Sequence, residues 1–310
     1  MIRTLFKTLL ALVVLLLLAV IAGSFLFPEK MALLAADAER GAAKLERKET
    51  DIPGFHIVYL EGGQGAPLLL IHGFGADKDN WTRVSRFLTP RFHVIAPDLP
   101  GFGESSKPEA AGYKIADQVM YVHALVQKLG LKEVSLGGSS MGGDIAASYA
   151  AHFPEEVKTL WLVAPGGVAT AEQSELQQRL QGGGPNPLLA RSEGDFDGII
   201  HFVMTDPPFI PGVIKKVLAK RAVANYALHE KIFQQLVDSA PLEAQVTGLA
   251  TPTRILWGDH DRALSVSGAK ILAGLMPKAS VTIMPGIGHL PMIEKPRESA
   301  EDYLKFRATL

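Results

Sequence analysis

Glu133-Val134-Ser135-Leu136-Gly137-Gly138-Ser139-Ser140-Met141-Gly142-Gly143, followed by Asp144-Ile145-Ala146-Ala147-Ser148-Tyr149-Ala150, decides how the rest of the chain is read. An apolar run with period-two character stops at a cluster of glycines, and a small-residue helical pattern begins at once. That order predicts a strand, a sharp turn and a helix, with a hydroxyl at the apex. Two serines stand side by side, so the register has to be chosen. Read as G-x-S-x-G, Gly138 and Gly142 bracket Ser140, whereas a frame centred on Ser139 would need glycine where Met141 stands. Ser140 is therefore the candidate nucleophile. Side chains two residues to either side would collide with neighbouring backbone. The amides and dipole of the helix that follows favour a negative charge developing nearby. A phosphate loop of the P-loop type would carry Gly-Lys-Ser/Thr here, and the stretch contains no lysine.

The 310 residues suffice for one large α/β domain with an insertion, or for two small domains, and a hydrophobic content of 47% supplies a substantial core. The formal net charge of −1 gives no field that would draw the chain to nucleic acid or another polyanion. Cysteine is absent, which excludes disulfides, thiolate metal sites and a cysteine nucleophile. No cofactor and no metal are expected.

Arg3 and Lys7 precede Thr8–Phe27, a run of 20 residues without a charge. As a helix such a run spans about 30 Å, the thickness of a bilayer hydrocarbon core. A cleaved signal peptide would have an apolar region of about 7–15 residues and a small-residue cleavage site directly after it. This run is longer and ends in Gly23-Ser24-Phe25-Leu26-Phe27-Pro28, a poor site of that kind. Residues 1–27 are thus expected to form a retained single-pass transmembrane anchor. The positive charges before the run favour an N-terminus in the cytoplasm and the rest of the chain across the membrane. In a bacterium that means an inner-membrane protein with a periplasmic domain. Residues 28–50 are expected to form a juxtamembrane amphipathic helix, since Met31, Leu34, Ala35, Ala38, Ala42 and Leu45 recur at helical spacing. Its stripe would lie on lipid, on its own domain or on a second copy, which implies a weak tendency towards a homodimer.

The globular part, residues 51–310, reads as strands alternating with helices, the pattern of a mostly parallel sheet covered on both faces. Phe55–Leu60, Pro67–Ile71, Phe92–Ala96 and Val157–Val163 read as strands, with helices at Asp79–Leu88 and Ala116–Leu129. From about 166 to 248 the alternation stops, and helical segments broken by Gly182-Gly183-Gly184-Pro185 and by Pro207, Pro208 and Pro211 take its place. Such an insertion in an α/β pattern predicts a helical cap over the sheet edge. Strands resume at Thr253–Trp257 and Ser280–Met284.

A serine hydroxyl attacks efficiently only when a base takes its proton and a carboxylate orients that base. In this class of fold the order along the chain is serine, acid, histidine. Of nine histidines, His260 and His289 lie beyond the resumed sheet pattern. His289 sits in the glycine-flanked loop Pro285-Gly286-Ile287-Gly288-His289 just after a predicted strand, whereas His260 is wedged between Asp259 and Asp261. His289 is the candidate base. Asp259 and Asp261 both follow the Thr253–Trp257 strand, and local chemistry does not separate them. The oxyanion hole needs two amides aimed at one point. Met141, directly after the nucleophile, supplies one, and Phe74 in His72-Gly73-Phe74-Gly75 supplies the other. His72 precedes Ser140 and is read as a tie within its loop; Asp98, in a Pro/Gly turn, is read as a cap on local amides.

His72-Gly73-Phe74-Gly75, Asp98-Leu99-Pro100-Gly101-Phe102-Gly103, Gly138-Ser139-Ser140-Met141-Gly142-Gly143, Trp257-Gly258-Asp259-His260-Asp261 and Gly288-His289 follow the order and spacing seen in the α/β-hydrolase superfamily, which the chain resembles from about Ile52 to Leu310. The resemblance favours Asp261 as the acid, with Asp259 the runner-up. A serine at 140 differs from haloalkane dehalogenases and epoxide hydrolases, which carry aspartate there. The anchor and the segment Ile255-Leu256-Trp257-Gly258…Asp261-Arg262-Ala263-Leu264-Ser265-Val266-Ser267-Gly268-Ala269 are similar to membrane-anchored monoacylglycerol lipases and to bacterial membrane-bound lipases and phospholipases A. Ser139 and Ser265 depart from that pattern, where many relatives carry histidine and proline, and they put substrate detail in question rather than the chemistry. The resemblance implies a Ser140–His289–Asp261 hydrolase of lipid esters, acylglycerols or phospholipids, acting at a bilayer. Alternatives are a small-ester esterase or carbon–carbon bond hydrolase with the same triad, and a non-catalytic membrane-bound binding protein.

Overall fold

Successive residues of the central strands face opposite sides of one sheet. Leu69 and Ile71 join Leu136, Leu160 and Trp257 in one apolar cluster, while Leu68 and Leu70 join Trp161, Val163 and Leu256 in another. Strands buried on both faces read in sequence as unbroken apolar runs. The computed structural model describes residues 2–310, apart from the side chains of residues 2 and 16–21.

Two helices open the chain, α1 (Ile2–Leu26) and α2 (Pro28–Ala42). The strands β1 (Leu45–Ile52), β2 (Phe55–Gly62) and β3 (Ala66–Ile71) follow, then α3 (Thr82–Leu88), β4 (Phe92–Pro97), α4 (Ile115–Lys128), β5 (Val134–Ser139), α5 (Met141–His152) and β6 (Val157–Val163). Five helices separate β6 from the next strand: α6 (Glu175–Gln181), α7 (Asp195–Val203), α8 (Gly212–Ala224), α9 (Tyr226–Val237) and α10 (Leu242–Val246). The chain closes with β7 (Thr253–Gly258), α11 (Ser267–Leu275), β8 (Ala279–Met284), α12 (Pro291–Glu294) and α13 (Pro296–Arg307).

Among the described residues eight strands form one sheet in the order β1-β2-β4-β3-β5-β6-β7-β8. The pairs β1–β2 and β2–β4 are antiparallel, and every pair from β3–β4 onward is parallel. Val122, Ile145 and Leu272, from α4, α5 and α11, cover one face, while Val84, Met292 and Tyr303, from α3, α12 and α13, cover the other. The loops after β3, β5, β7 and β8 therefore leave the same, carboxyl-terminal edge of the parallel sheet. Open α/β sheets bind ligands along that edge.

The N-terminal segment differs from its sequence reading in two respects. The helix expected over residues 28–50 ends at Ala42, and Leu45–Ile52 is an edge strand paired residue for residue with β2, from Leu45↔Gly62 to Ile52↔Phe55. Between its buried ends this strand reads Glu46-Arg47-Lys48-Glu49-Thr50-Asp51, with no apolar alternation to announce it. Charge on an edge strand discourages pairing with another chain. The second difference concerns the anchor. The predicted Thr8–Phe27 span lies in α1 except for Phe27 and falls in part on side chains outside the described residues; among the described residues no helix is long and apolar enough to cross a membrane.

Of the three surfaces open to α2, its own chain takes the polar side. The buried Arg40 guanidinium clasps Asp79 through Nε–Oδ1 at 2.7 Å and Nη2–Oδ2 at 2.5 Å, and also reaches Asp37 at 2.9 Å. Glu39 pairs with Arg83 of α3 at 2.9 Å, and Glu29 with Arg221 of α8 at 2.8 Å. Leu33 and Leu34 remain exposed.

Candidate active site

Ser140 stands between β5 and α5 with φ 55° and ψ −121°, a left-handed conformation that an L-residue adopts only under constraint. The flanking glycines show what imposes it. A Cβ on Gly138 would lie 2.0 Å from the Gly142 carbonyl oxygen, and one on Gly142 would lie 2.2 Å from that of Ile71. Both positions must be glycine for the strand to turn this sharply against β3. The neighbouring Ser139 is fully buried, and its Oγ has no hydrogen-bond partner among the described residues. Ser140 is partly exposed. Only the second of the paired serines can meet a reagent from solvent.

His289 and Asp261 come together from the loops after β8 and β7. His289 Nδ1 lies 2.7 Å from Asp261 Oδ2, with both side chains buried. Trp257 Nε1 also donates to Oδ2 at 2.9 Å, while Ala263 N and Leu264 N donate to Oδ1 at 2.8 and 3.0 Å. Four donors thus fix the carboxylate's orientation, and a carboxylate accepting at Nδ1 leaves Nε2 as the basic nitrogen. Asp259 takes a different place: it is exposed, and its Oδ1 accepts from Gly286 N at 2.7 Å, bracing the loop that leads to His289. His260 is exposed, and its amide donates to Ile287 O at 2.9 Å. Neither Ser140 Oγ nor His289 Nε2 has a hydrogen-bond partner among the described residues.

The two amides expected to form an oxyanion hole are also unpaired among the described residues. Met141 opens α5, where a helix leaves its first N–H groups free. Phe74 follows Gly73, and a Cβ on Gly73 would stand 3.1 Å from Ser140 Cβ and 3.8 Å from its Oγ. The Phe74 loop is held from behind. His72 Nδ1 donates to the Gly73 carbonyl at 2.8 Å, and its Nε2 accepts from Leu99 N at 3.0 Å, which occupies both nitrogens of a buried ring. Burial lowers the His72 pKa, in keeping with that neutral form.

Asp98 does more than cap local amides. It accepts from Lys78 N at 2.7 Å, from Glu104 N at 2.7 Å and from the buried Lys78 ammonium at 2.8 Å, and that ammonium also reaches Glu104 at 2.6 Å. Burial opposes ionisation of Glu104, yet hydrogen bonds from Arg47 and Lys78 outweigh it and hold the carboxyl down at about 2. This network pins the segment after Phe74 to the end of β4.

The cap meets the site through α9. The Phe74 ring packs against Phe233 with centroids 5.4 Å apart and against His229 at 5.7 Å. His229 is buried with Nε2 unpaired among the described residues, and burial, aided by the nearby Lys107 and His72, pushes its pKa down to about 4. Sequence motifs do not single it out. Its signal was legible, because His229, Ile232, Phe233 and Leu236 mark one stripe of α9 at helical spacing. Inside the cap lies a cavity of about 790 Å³ whose lining includes Phe202, Phe233, Tyr226, Arg179 and Arg262. Arg262 follows Asp261 directly and binds Glu175 of α6 at 2.6 Å, which joins the cap to the acid loop. Hydrogen bonds from Arg262 and Arg179 hold the Glu175 carboxyl down at about 2, against a smaller effect of burial.

A family model described as alpha/beta hydrolase fold matches residues 66–192. Lipase 1 of Psychrobacter immobilis is 41% identical over 280 residues, covering 88% of this chain and 87% of that protein. Monoacylglycerol lipase ABHD6 of Homo sapiens is 30% identical over 259 residues, covering 80% of this chain and 77% of its own. Among solved structures, a membrane phospholipase A described as a bacterial virulence factor superposes with a TM-score of 0.90 at 44% identity, covering 98% of both chains.

Proposed function

The chain belongs to the α/β-hydrolase family, and from that premise we propose that it is a membrane-anchored serine hydrolase that cleaves the carboxylic esters of lipids. It is an ester hydrolase of the lipase and phospholipase type, as the names of its relatives imply. The observation that carries the reading of the site is the 2.7 Å contact between His289 Nδ1 and Asp261 Oδ2, on loops that leave the same sheet edge as the constrained turn of Ser140.

In this mechanism Ser140 Oγ attacks the ester carbonyl while His289 Nε2 takes its proton. Asp261 orients the ring and stabilises the imidazolium, and the amides of Met141 and Phe74 hold the oxyanion. The intermediate collapses with the C–O bond breaking, and His289 returns the proton to the leaving alcohol. Water then attacks the acyl-serine, His289 takes a proton from it, and the fatty acid leaves as Ser140 regains its hydrogen.

The anchor reading is supported by Leu5, Leu9, Val13 and Phe25 of α1, apolar side chains that the rest of the chain leaves exposed. Exposed apolar surface of this kind requires a cover, and a bilayer on the cytoplasmic-to-periplasmic path would supply both the cover and the substrate. The exposed Leu33 and Leu34 of α2 offer a place for a second copy.

The test uses membranes carrying the full-length protein or S140A, assayed on monoacylglycerols, phospholipids and short soluble esters. Lipid-ester hydrolysis above the S140A background is the expected result. Activity confined to short esters would refute lipid specificity, and release of full-length protein by carbonate would refute the anchor.

A further inference from the structure

Glu294 closes the short helix α12, five residues past His289, and its side chain is buried. Its carboxylate collects three backbone amides from two distant parts of the chain. Oε1 accepts from Gly288 N at 2.9 Å, while Oε2 accepts from Thr205 N at 2.9 Å and Asp206 N at 2.8 Å. Among the described residues no side-chain cation pairs with it; the adjacent Lys295 turns to Asp206 instead, at 3.4 Å. A fourth bond crosses the same seam, from His289 N to Val203 O at 2.8 Å. The seam is also closed sterically, since a Cβ on Gly288 would lie 2.9 Å from Thr205 N and 3.0 Å from Glu294 Oε1.

A buried carboxylate without a cation is a costly way to fill space, and an apolar side chain would fill it more cheaply. What a carboxylate does that an apolar group cannot is hold several converging N–H groups in one fixed relation. Here the groups belong to the segment after α7, at the edge of the cap, and to the residue before His289.

We propose that Glu294 is a positioning residue, whose carboxylate locks the cap edge at Thr205–Asp206 to the loop of His289 so that the imidazole keeps its working place only while that edge is seated. The inference rests on His289 being the general base of the reaction proposed above. It makes cap placement and proton transfer one event: disturbing the seam slows the chemical step and leaves ground-state binding of a small ester unaffected.

The experiment compares wild type, S140A, E294Q, D206P and the E294Q/D206P double variant on a short water-soluble ester, with each variant's folding checked by circular dichroism and thermal unfolding. A glutamine carboxamide has one acceptor oxygen, so its NH₂ must face either Gly288 N or the Thr205–Asp206 pair, donor against donor. For folded E294Q, kcat is expected to fall about 10- to 100-fold with KM within about twofold of wild type, because displacing a catalytic group by about 1 Å costs that much. D206P removes one of the clamped amides and leaves Glu294 in place, at a site already followed by Pro207 and Pro208. It should lower kcat in the same direction by less, and the double variant should be no slower than E294Q, since both changes break one device. If E294Q does not fold, the same loss of kcat without a rise in KM in D206P supports the clamp, and an unchanged kcat there overturns it. A folded E294Q that unfolds earlier on heating yet keeps kcat within about twofold would reduce Glu294 to a structural brace. Losses that multiply independently in the double variant would also overturn the clamp. Wild-type activity no higher than that of S140A would overturn the functional reading itself, and with it this inference.

Discussion

In the sheet, Leu68, Leu136, Leu160 and Ile255 are fully buried, whereas α8 of the cap buries Val217 and Ala219 and the loop before it leaves Phe209 86% exposed. The two regions are also attached differently. The strands are held by apolar contact on both faces, at roughly 25 cal/mol for each Å² removed from water. The cap adds Ile232 of α9 and Leu242 and Val246 of α10 to that core, and it is also attached by directional contacts. Arg262 grips Glu175, Gln235 accepts from Tyr113 N at 2.6 Å, Ser239 accepts from Ile115 N at 3.2 Å, and Glu294 binds Thr205 and Asp206. Single hydrogen bonds contribute only about 1 kcal/mol each in net terms. The sheet that holds the strained Ser140 turn is thus packed on both faces, and α8 with the loop before it is the part of the cap least tied to that core.

The largest effects should come from the scaffold's edge. S140A and H289A are each expected to lower kcat by roughly 10⁴- to 10⁶-fold, with little change in thermal unfolding. A serine-directed phosphonate should label Ser140 and spare the buried Ser139; labelling of Ser139 would transfer the role. D261N is expected to cost roughly 10⁴-fold and D259N less than about tenfold, because one carboxylate holds the imidazole and the other braces a loop. The reverse ranking in kcat would exchange their roles.

Stability should separate the two regions next. L160A, in the middle of β6, is expected to destabilise the protein by about 2–5 kcal/mol, and F209A to change stability by less than about 0.5 kcal/mol. Urea unfolding of both variants checks this. Equal losses would mean that the cap carries as much of the folding energy as the sheet.

A pH-dependent effect belongs to a buried carboxyl where α5 meets the cap. Asp144 lies beside Gly167, and burial pushes its pKa up to about 7, although Ser148 donates to it at 3.1 Å. An unfolded aspartate loses its proton near pH ~4. Between that pH and about 7 the unfolded chain has released a proton that the folded chain still holds, so this group's contribution to stability falls as pH rises. D144N removes the dependence. It should be more stable than wild type at pH 8 by on the order of 4 kcal/mol and nearly equal to it near pH 4, as measured by denaturant unfolding at both pH values. A stability difference independent of pH would show that Asp144 stays ionised in the fold.

Ser140 is legible in the sequence because its constraint is local. Gly138 and Gly142 must be glycine for the backbone to pass, and that requirement is written within five residues. The buried strands were equally plain, since apolar runs bounded by glycine and proline have few other uses. The strand β1 was missed for the opposite reason: pairing with β2 satisfies its backbone, and its charged side chains keep no period. The spacing over Val213–Val237 predicts one unbroken amphipathic helix, yet the chain breaks at Asn225 between α8 and α9. Helical periodicity continues across such a break, so the pattern alone does not mark it.

Sequence by itself determined the alternation of strand and helix, the strained serine turn and the position of the helical insertion, because each follows from steric rules or periodicity over a few residues. The tertiary structure alone decided which of two neighbouring aspartates meets His289, where α2 rests, and that His229 packs on Phe74. It alone joined Glu294 to amides 88 and 89 residues away. Those outcomes depend on how loops from separate strands converge at one sheet edge. A hydrogen bond formed across such a distance leaves no trace in local spacing, since its partners are neighbours only after the sheet has assembled.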